Sequence, residues 1–143
     1  MLIEQSKLHP QSLEGQIAVV SGAGRGIGLE TARALLWLGA RVVIAEVDES
    51  LARQAEKELG RQFDPNKILA LTTDIGDEAG VKQMARSIFE HFGQVDIVVN
   101  NATVTPMGAV WDVPIEQWDH RPVIATAGIG WAIFSPATLP SSQ

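Results

Sequence analysis

Short apolar runs alternate with amphipathic ones from residue 15 to residue 99. Ile17-Ala18-Val19-Val20 contains no polar residue, as a strand buried on both faces requires. From Ile27 to Leu38 the apolar residues recur at helical spacing, with Ile27, Ala34, Leu35 and Leu38 expected on one face and Gly39 as the stop. Arg41-Val42-Val43-Ile44-Ala45 predicts a second strand. Ser50 to Leu59 predicts a second helix, with Leu51, Ala55 and Leu59 turned inward and Gly60 ending it. Lys67 to Leu71 reads as a third strand. Asp77 to Phe92 reads as a third helix, with Val81, Met84, Ile88 and Phe92 inward and Gly93 after it. Val95 to Val99 completes a fourth strand.

Continuous apolar strands separated by helices imply an α/β fold, a doubly wound parallel sheet with helices on both faces. Right-handed crossovers then give the strand order 3-2-1-4 if the chain reverses direction across the sheet after strand 3. In such sheets ligands bind at the carboxyl ends of the strands, at the switch point, so the loops after strands 1 and 4 become the places to look for chemistry. After Val99 the pattern degrades. Asp112-Val113-Pro114-Ile115-Glu116 has a helix start, with Asp as cap and Pro in the first turn. Pro122, Gly128, Gly130, Pro136 and Pro140 then interrupt the rest, and an irregular tail is expected.

Composition narrows the function classes. The chain has 143 residues, room for one domain, and at 45% hydrophobic and 20% charged it can form a packed core. A net charge of −6 argues against nucleic acid as a partner, since that affinity comes mostly from Lys and Arg on phosphates. With no cysteine, disulfides, thiolate metal sites and thiol catalysis are excluded. His9, His91 and His120 lack ligand spacing, so no metal site is expected. Residues 1–14 are mixed and polar, without a targeting pattern. The longest apolar stretch, Val123 to Phe134, is 12 residues, short of the roughly 20 that span a bilayer. A soluble, cytoplasmic chain with no membrane partner is the expectation.

The loop after strand 1 is Ser21-Gly22-Ala23-Gly24-Arg25-Gly26-Ile27-Gly28. Glycines between a strand and a helix let the backbone turn tightly and approach a pyrophosphate, which the free N–H groups of the helix N-terminus can hold. The spacing is G-x-x-x-G-x-G at Gly22, Gly26 and Gly28, and no Gly-Lys-Ser/Thr follows, which excludes a P-loop. The bland alternative is a tight turn with no ligand. Glu46 closes strand 2 about 20 residues on, where an acid would hold the adenosine ribose hydroxyls; its alternative is a solvated strand end. Asp74 after strand 3 could accept from an adenine amino group or cap the third helix.

These residues together resemble the short-chain dehydrogenase/reductase family. The glycine loop is similar to the family's T-G-x-x-x-G-x-G. Ala45-Glu46 looks like its acid after strand 2, and Asp74-Ile75 like its adenine-contacting pair. Asn100-Asn101-Ala102 looks like its N-N-A-G, with Thr103 in place of the glycine. The match runs from about Gly15 to Asp119. It implies a lead at 1–14, a Rossmann-like dinucleotide-binding domain at 15–119 and a divergent tail at 120–143, the fold being truncated after strand 4.

By resemblance, Gly22, Gly26 and Gly28 would shape the phosphate site, with Ile27 N–H near the pyrophosphate, and Arg25 sits where a basic residue can help bind a 2′-phosphate. Asn100 and Ala102 would line the nicotinamide-side ribose. Glu46 favours NAD, because a carboxylate repels a 2′-phosphate; Arg25 pulls toward NADP, which stays open. The family's proton relay resembles Asn, Ser, Tyr and Lys acting together. Here there is no Tyr, and Lys7, Lys57, Lys67 and Lys82 all precede strand 4. No catalytic residue is therefore assigned. The resemblance implies the cofactor-binding part of a hydride-transferring oxidoreductase, not competent as this chain alone. The alternative is a non-catalytic or truncated product that pairs through the strand-4 edge with itself or with a full-length relative.

Overall fold

The computed structural model describes residues 9–103. The helix start expected at 112–116 and the tail at 120–143 lie outside the described residues. The elements are β1 (Ile17–Ser21), α1 (Gly26–Trp37), β2 (Arg41–Glu46), α2 (Glu49–Leu59), a 3-10 turn (Pro65–Lys67), β3 (Ile68–Thr72), α3 (Glu78–Phe92) and β4 (Ile97–Val99). All pairings are parallel, in the order β3-β2-β1-β4. This is the doubly wound, Rossmann-like α/β sheet that the alternation predicts.

The unbroken apolar runs follow from burial on both faces. Successive strand residues point to opposite sides. Ala18, Val20, Val42 and Ile44 pack with Ala32, Leu36, Ala52, Ala55 and Leu59 under α1 and α2. Ile17, Val19, Val43 and Ala45 pack with Val81, Met84, Ala85 and Ile88 under α3. Strands β1 and β2 have no solvent-facing side except at Arg41. Each fully buried Val or Ile there contributes on the order of 2 kcal/mol.

Two details differ from the sequence reading. The inward arc of α1 is Gly28, Ala32 and Leu36. Ile27 is 81% exposed and Ala34 is exposed, so the expected face was rotated. The α1 sequence is apolar on two arcs, and the arc with the smallest residues wins because it allows the closest approach to the sheet. Secondly, β4 starts at Ile97, not Val95. Asp96 uses its carboxylate to accept from Ile17 N–H at 2.8 Å and its own N–H to donate to Ile17 O at 2.9 Å, which fixes the entry to the strand. The three glycines read as helix stops do stand at the helix ends, Gly39 and Gly93 with φ of +99° and +84° and Gly60 with a right-handed φ of −65°.

Asp48 and Asp77 cap α2 and α3. Asp48 accepts from Ser50 N–H and Leu51 N–H, and Asp77 accepts from Ala79 N–H and Gly80 N–H. Asp74 does not cap α3; its Oδ1 accepts from Gly76 N–H at 2.8 Å and shapes the turn before the helix. No helix among the described residues is long and apolar enough to cross a membrane. Asp77→Ala should therefore lower the unfolding free energy by about 1 kcal/mol in urea melts. Asp74→Ala should cost roughly half of that or less, since one turn bond is lost and the cap remains.

Candidate cofactor site

The parallel register brings the carboxyl ends of the strands together. Ser21 lies beside Ala45, Glu46 beside Thr72, and Val20 beside Val99. Gly22, Glu46, Asp74 and Asn100 therefore all leave the sheet at its carboxyl end.

The glycine loop has a different cause at each glycine. Gly22 adopts φ +63°, and a Cβ there would sit 2.9 Å from Ala102 Cα. Gly26 adopts φ +59° with nothing within 4 Å of a would-be Cβ, so its backbone conformation selects glycine while the space above it stays open. Gly28 has an ordinary helical backbone, but a Cβ would lie 2.3 Å from Gly22 O and 2.6 Å from Asn101 Nδ2. The last glycine thus allows α1 to touch the end of β1.

Helix α1 has no side-chain cap. Arg25 holds the cap position in extended backbone, φ −160° and ψ 172°, without a capping bond, and the first turn has no acid. The other two α-helices described are both capped by Asp. The first N–H groups of α1 are thus left for an anion, which the helix dipole favours.

Glu46 is buried, and the solvated-strand-end reading is overturned. It is 8% exposed. Its Oε2 accepts from Gly24 N–H at 3.0 Å, and its Oε1 accepts from Val47 N–H at 2.9 Å and Asp48 N–H at 3.4 Å. These bonds leave lone pairs for a further donor. The hydrogen bond from the Ser50 hydroxyl, with help from Leu51 N–H and the nearby Arg25, holds the Asp48 carboxyl below the usual carboxylate value. Asp74 is exposed, and Ile75 is half-buried against the α3 side of the core.

Strand β4 is joined to the loop through two residues that the sequence reading did not single out. Ser21, fully buried, accepts from Asn101 N–H at 3.0 Å and Ala102 N–H at 3.1 Å through its hydroxyl, which donates to Val99 O at 3.4 Å. Asn101 Nδ2 donates to Ser21 O at 3.0 Å and Gly22 O at 3.2 Å. Asn100, the residue named from sequence, is exposed at the end of the strand. The signal was present as the pair Asn100-Asn101, but the pair alone does not say which amide turns inward. Gly24 was also passed over, because its role depends on where Glu46 reaches. The residues present fit a dinucleotide: an uncapped helix start, open space over Gly26, and a fixed carboxylate at the end of β2.

Ser21→Ala removes the acceptor of two backbone N–H groups at a buried joint. It should cost about 2 to 3 kcal/mol, measured by thermal or urea unfolding, with a native far-ultraviolet circular dichroism spectrum retained.

Comparison with known proteins agrees with this geometry. Residues 16–138 match the short chain dehydrogenase family, 19 residues further than the Asp119 limit read from the motifs. An uncharacterized oxidoreductase of Thermotoga maritima is 41% identical over 109 residues, which are 76% of this chain and 41% of that protein. Human 15-hydroxyprostaglandin dehydrogenase [NAD(+)] is 38% identical over 92 residues, 64% of this chain and 35% of its own length. Among solved structures, a metagenomic short-chain oxidoreductase in complex with NADP is 31% identical with a TM-score of 0.69, over 85% of this chain and 54% of that one. The 3-ketoacyl-(acyl-carrier-protein) reductase of Brucella melitensis complexed with NADH is 33% identical with a TM-score of 0.70, over 85% of this chain and 48% of that one. The chain spans less than half the length of the two curated relatives. Its strand order, its glycine loop and this match over most of its length make it a member of the short-chain dehydrogenase family of oxidoreductases, built on a nicotinamide-dinucleotide-binding fold.

Proposed function

We propose that the chain binds a nicotinamide dinucleotide across the carboxyl ends of β1 to β4, prefers NAD to NADP, and is the cofactor-holding part of an oxidoreductase acting on a carbonyl or alcohol. The observation that carries this is the uncapped start of α1, entered through Gly22, Gly26 and Gly28 beside the buried Glu46 carboxylate. Gly26, Ile27 and Gly28 N–H would donate to pyrophosphate oxygens. Glu46 would accept from the adenosine ribose hydroxyls with its remaining lone pairs. Asp74 and Ile75 would meet the adenine, and Asn100 and Ala102 the nicotinamide-side ribose. When bound, the nicotinamide ring supplies the hydride chemistry.

Two features support NAD. Glu46 puts a negative charge where a 2′-phosphate would come, and Val47 follows it rather than a cation. Arg25, the loop cation, is near enough to Asp48 to add to what Ser50 and Leu51 do in holding that carboxyl below the usual carboxylate value. Relatives with NADP and with NADH both occur, so the preference rests on these residues. Proton transfer is a separate matter. The 143 residues hold no Tyr, and Lys67 and Lys82 are paired with Glu14 and Glu78. No Y-x-x-x-K exists in the chain, and binding without turnover is proposed for it.

The test is a titration of the 143-residue chain, exciting tryptophan and following energy transfer to reduced nicotinamide. NADH should saturate with a Kd in the micromolar range, and NADPH should bind about tenfold or more weaker, near 1.4 kcal/mol. A folded chain that binds neither would overturn the reading, and turnover abolished by Gly26→Val would overturn the claim of no catalysis.

The two sheet edges favour a second reading, association. At β3, Glu56 Oε1 already accepts from Ala70 N–H at 3.1 Å. At β4, all three residues are half-buried, and β1 is the only strand partner among the described residues. We infer that the chain associates with itself, or with a longer relative, along β4. Light scattering should show dimers or larger species as concentration rises; a sharp monomer peak throughout would exclude self-association.

A further inference from the structure

Glu46 is the one buried acidic residue among those described. Every hydrogen bond the structure gives its carboxylate comes from backbone: Gly24 N–H on Oε2, and Val47 N–H and Asp48 N–H on Oε1. Gly24 has no positive φ, so its backbone does not demand glycine. Space does. A Cβ at position 24 would lie 2.7 Å from Glu46 Oε2, 2.9 Å from Glu46 Cγ and 2.9 Å from Leu51 Cβ. The most yielding of these neighbours is the carboxylate, at the end of a flexible side chain. A side chain at position 24 would push it out of its N–H cradle.

We infer that Gly24 is a positioning residue: its missing side chain latches Glu46 to the glycine loop, and this latch, not the charge alone, sets the preference for NAD over NADP. The inference rests on the dinucleotide reading above. A free glutamate at a strand end can swing into water and admit a 2′-phosphate at the cost of a rotamer change. Latched, it would have to abandon charge-assisted bonds and leave the buried Gly24 N–H without its acceptor. The charge therefore stays where the ribose hydroxyls arrive. The same bond ties the phosphate end of the site to the ribose end, so one contact serves both geometry and selectivity. Aspartate is one methylene shorter and cannot span from β2 to both Gly24 and Val47 in the same way, so Glu46→Asp keeps the charge while releasing the latch.

The experiment is a double-mutant cycle on the full chain with Gly24→Ala and Glu46→Asp. It is read as the ratio of the NADPH to the NADH dissociation constant, and as the melting temperature without nucleotide. Gly24→Ala should lower the ratio about tenfold and the melting temperature by about 4 °C or more. Glu46→Asp should lower the ratio as well, and adding Gly24→Ala to it should change the ratio less than about threefold and add little to the melting shift. A ratio unchanged in either single variant, or effects that simply add, would overturn the inference. If Gly24→Ala fails to fold by circular dichroism, Glu46→Asp alone decides, since full discrimination with the charge kept and the reach lost contradicts a latch. A wild type that binds neither dinucleotide sinks the cofactor reading and with it the preference; the melting cycle then still decides, because additive melting shifts would show that Gly24 and Glu46 are not coupled at all.

Discussion

Gly28 has no room for a side chain, because the Gly22 carbonyl and the Asn101 amide occupy the place where its Cβ would stand. From that closeness much of the molecule follows. It brings α1 down on the end of β1, which selects Ala32 and Leu36 as the rest of the inward arc and turns Ile27 outward. It places Asn101 where one amide group can donate to two carbonyls of the departing strand. Those carbonyls, at Ser21 and Gly22, lie where the chain leaves the sheet and would need partners in any fold. A family of side chains could not replace this arrangement, since the contact is backbone to amide across the position of a missing carbon.

The sheet was legible from sequence because burial on both faces leaves the strands without polar interruptions. Nothing in β1 and β2 competes with that pattern, and the strand order follows from handed crossovers. The phase of α1 was not legible. Its apolar residues populate two arcs, and hydrophobic periodicity cannot rank a glycine above an isoleucine as the contact residue, although close packing does. Asp74 and Asp77 show the same limit at the scale of a cap. Both are acids just before a helix, and only the position of the first helical N–H groups, at Ala79 and Gly80, decides between them.

At the site, spacing identified Gly22, Gly26 and Gly28: the first two have left-handed backbone, and the third has no room for a side chain. The residues that it missed act through a neighbour distant in sequence. Ser21 works on residues 101 and 102 across about 80 positions, and Gly24 on Glu46 across 22. No local window contains both members of such a pair. The sequence reading also took Glu46 as a group free to meet a ligand or water. Its surroundings instead make it part of the loop, so what it keeps for a ligand is the remaining acceptor capacity of a carboxylate already bound by the protein.

That arrangement separates two tasks that an oxidoreductase must perform. Holding a dinucleotide needs fixed N–H donors, a fixed charge and a narrow approach, all of which backbone and glycine geometry supply on β1, β2 and β4. Moving a proton needs a group whose pKa sits near the working pH. In the site described, each titratable group does something else. Glu46 is bound into the loop. Asp48 caps α2 and is held ionised by Ser50 and Leu51. Asp74 shapes a turn. Arg25 holds the cap position of α1 in extended backbone. Among the described residues of the site, these groups are thus engaged in holding the loop, a cap and a turn. On the reading proposed above, the acid and base of a complete reaction come to this carboxyl end of the sheet from outside β1 to β4.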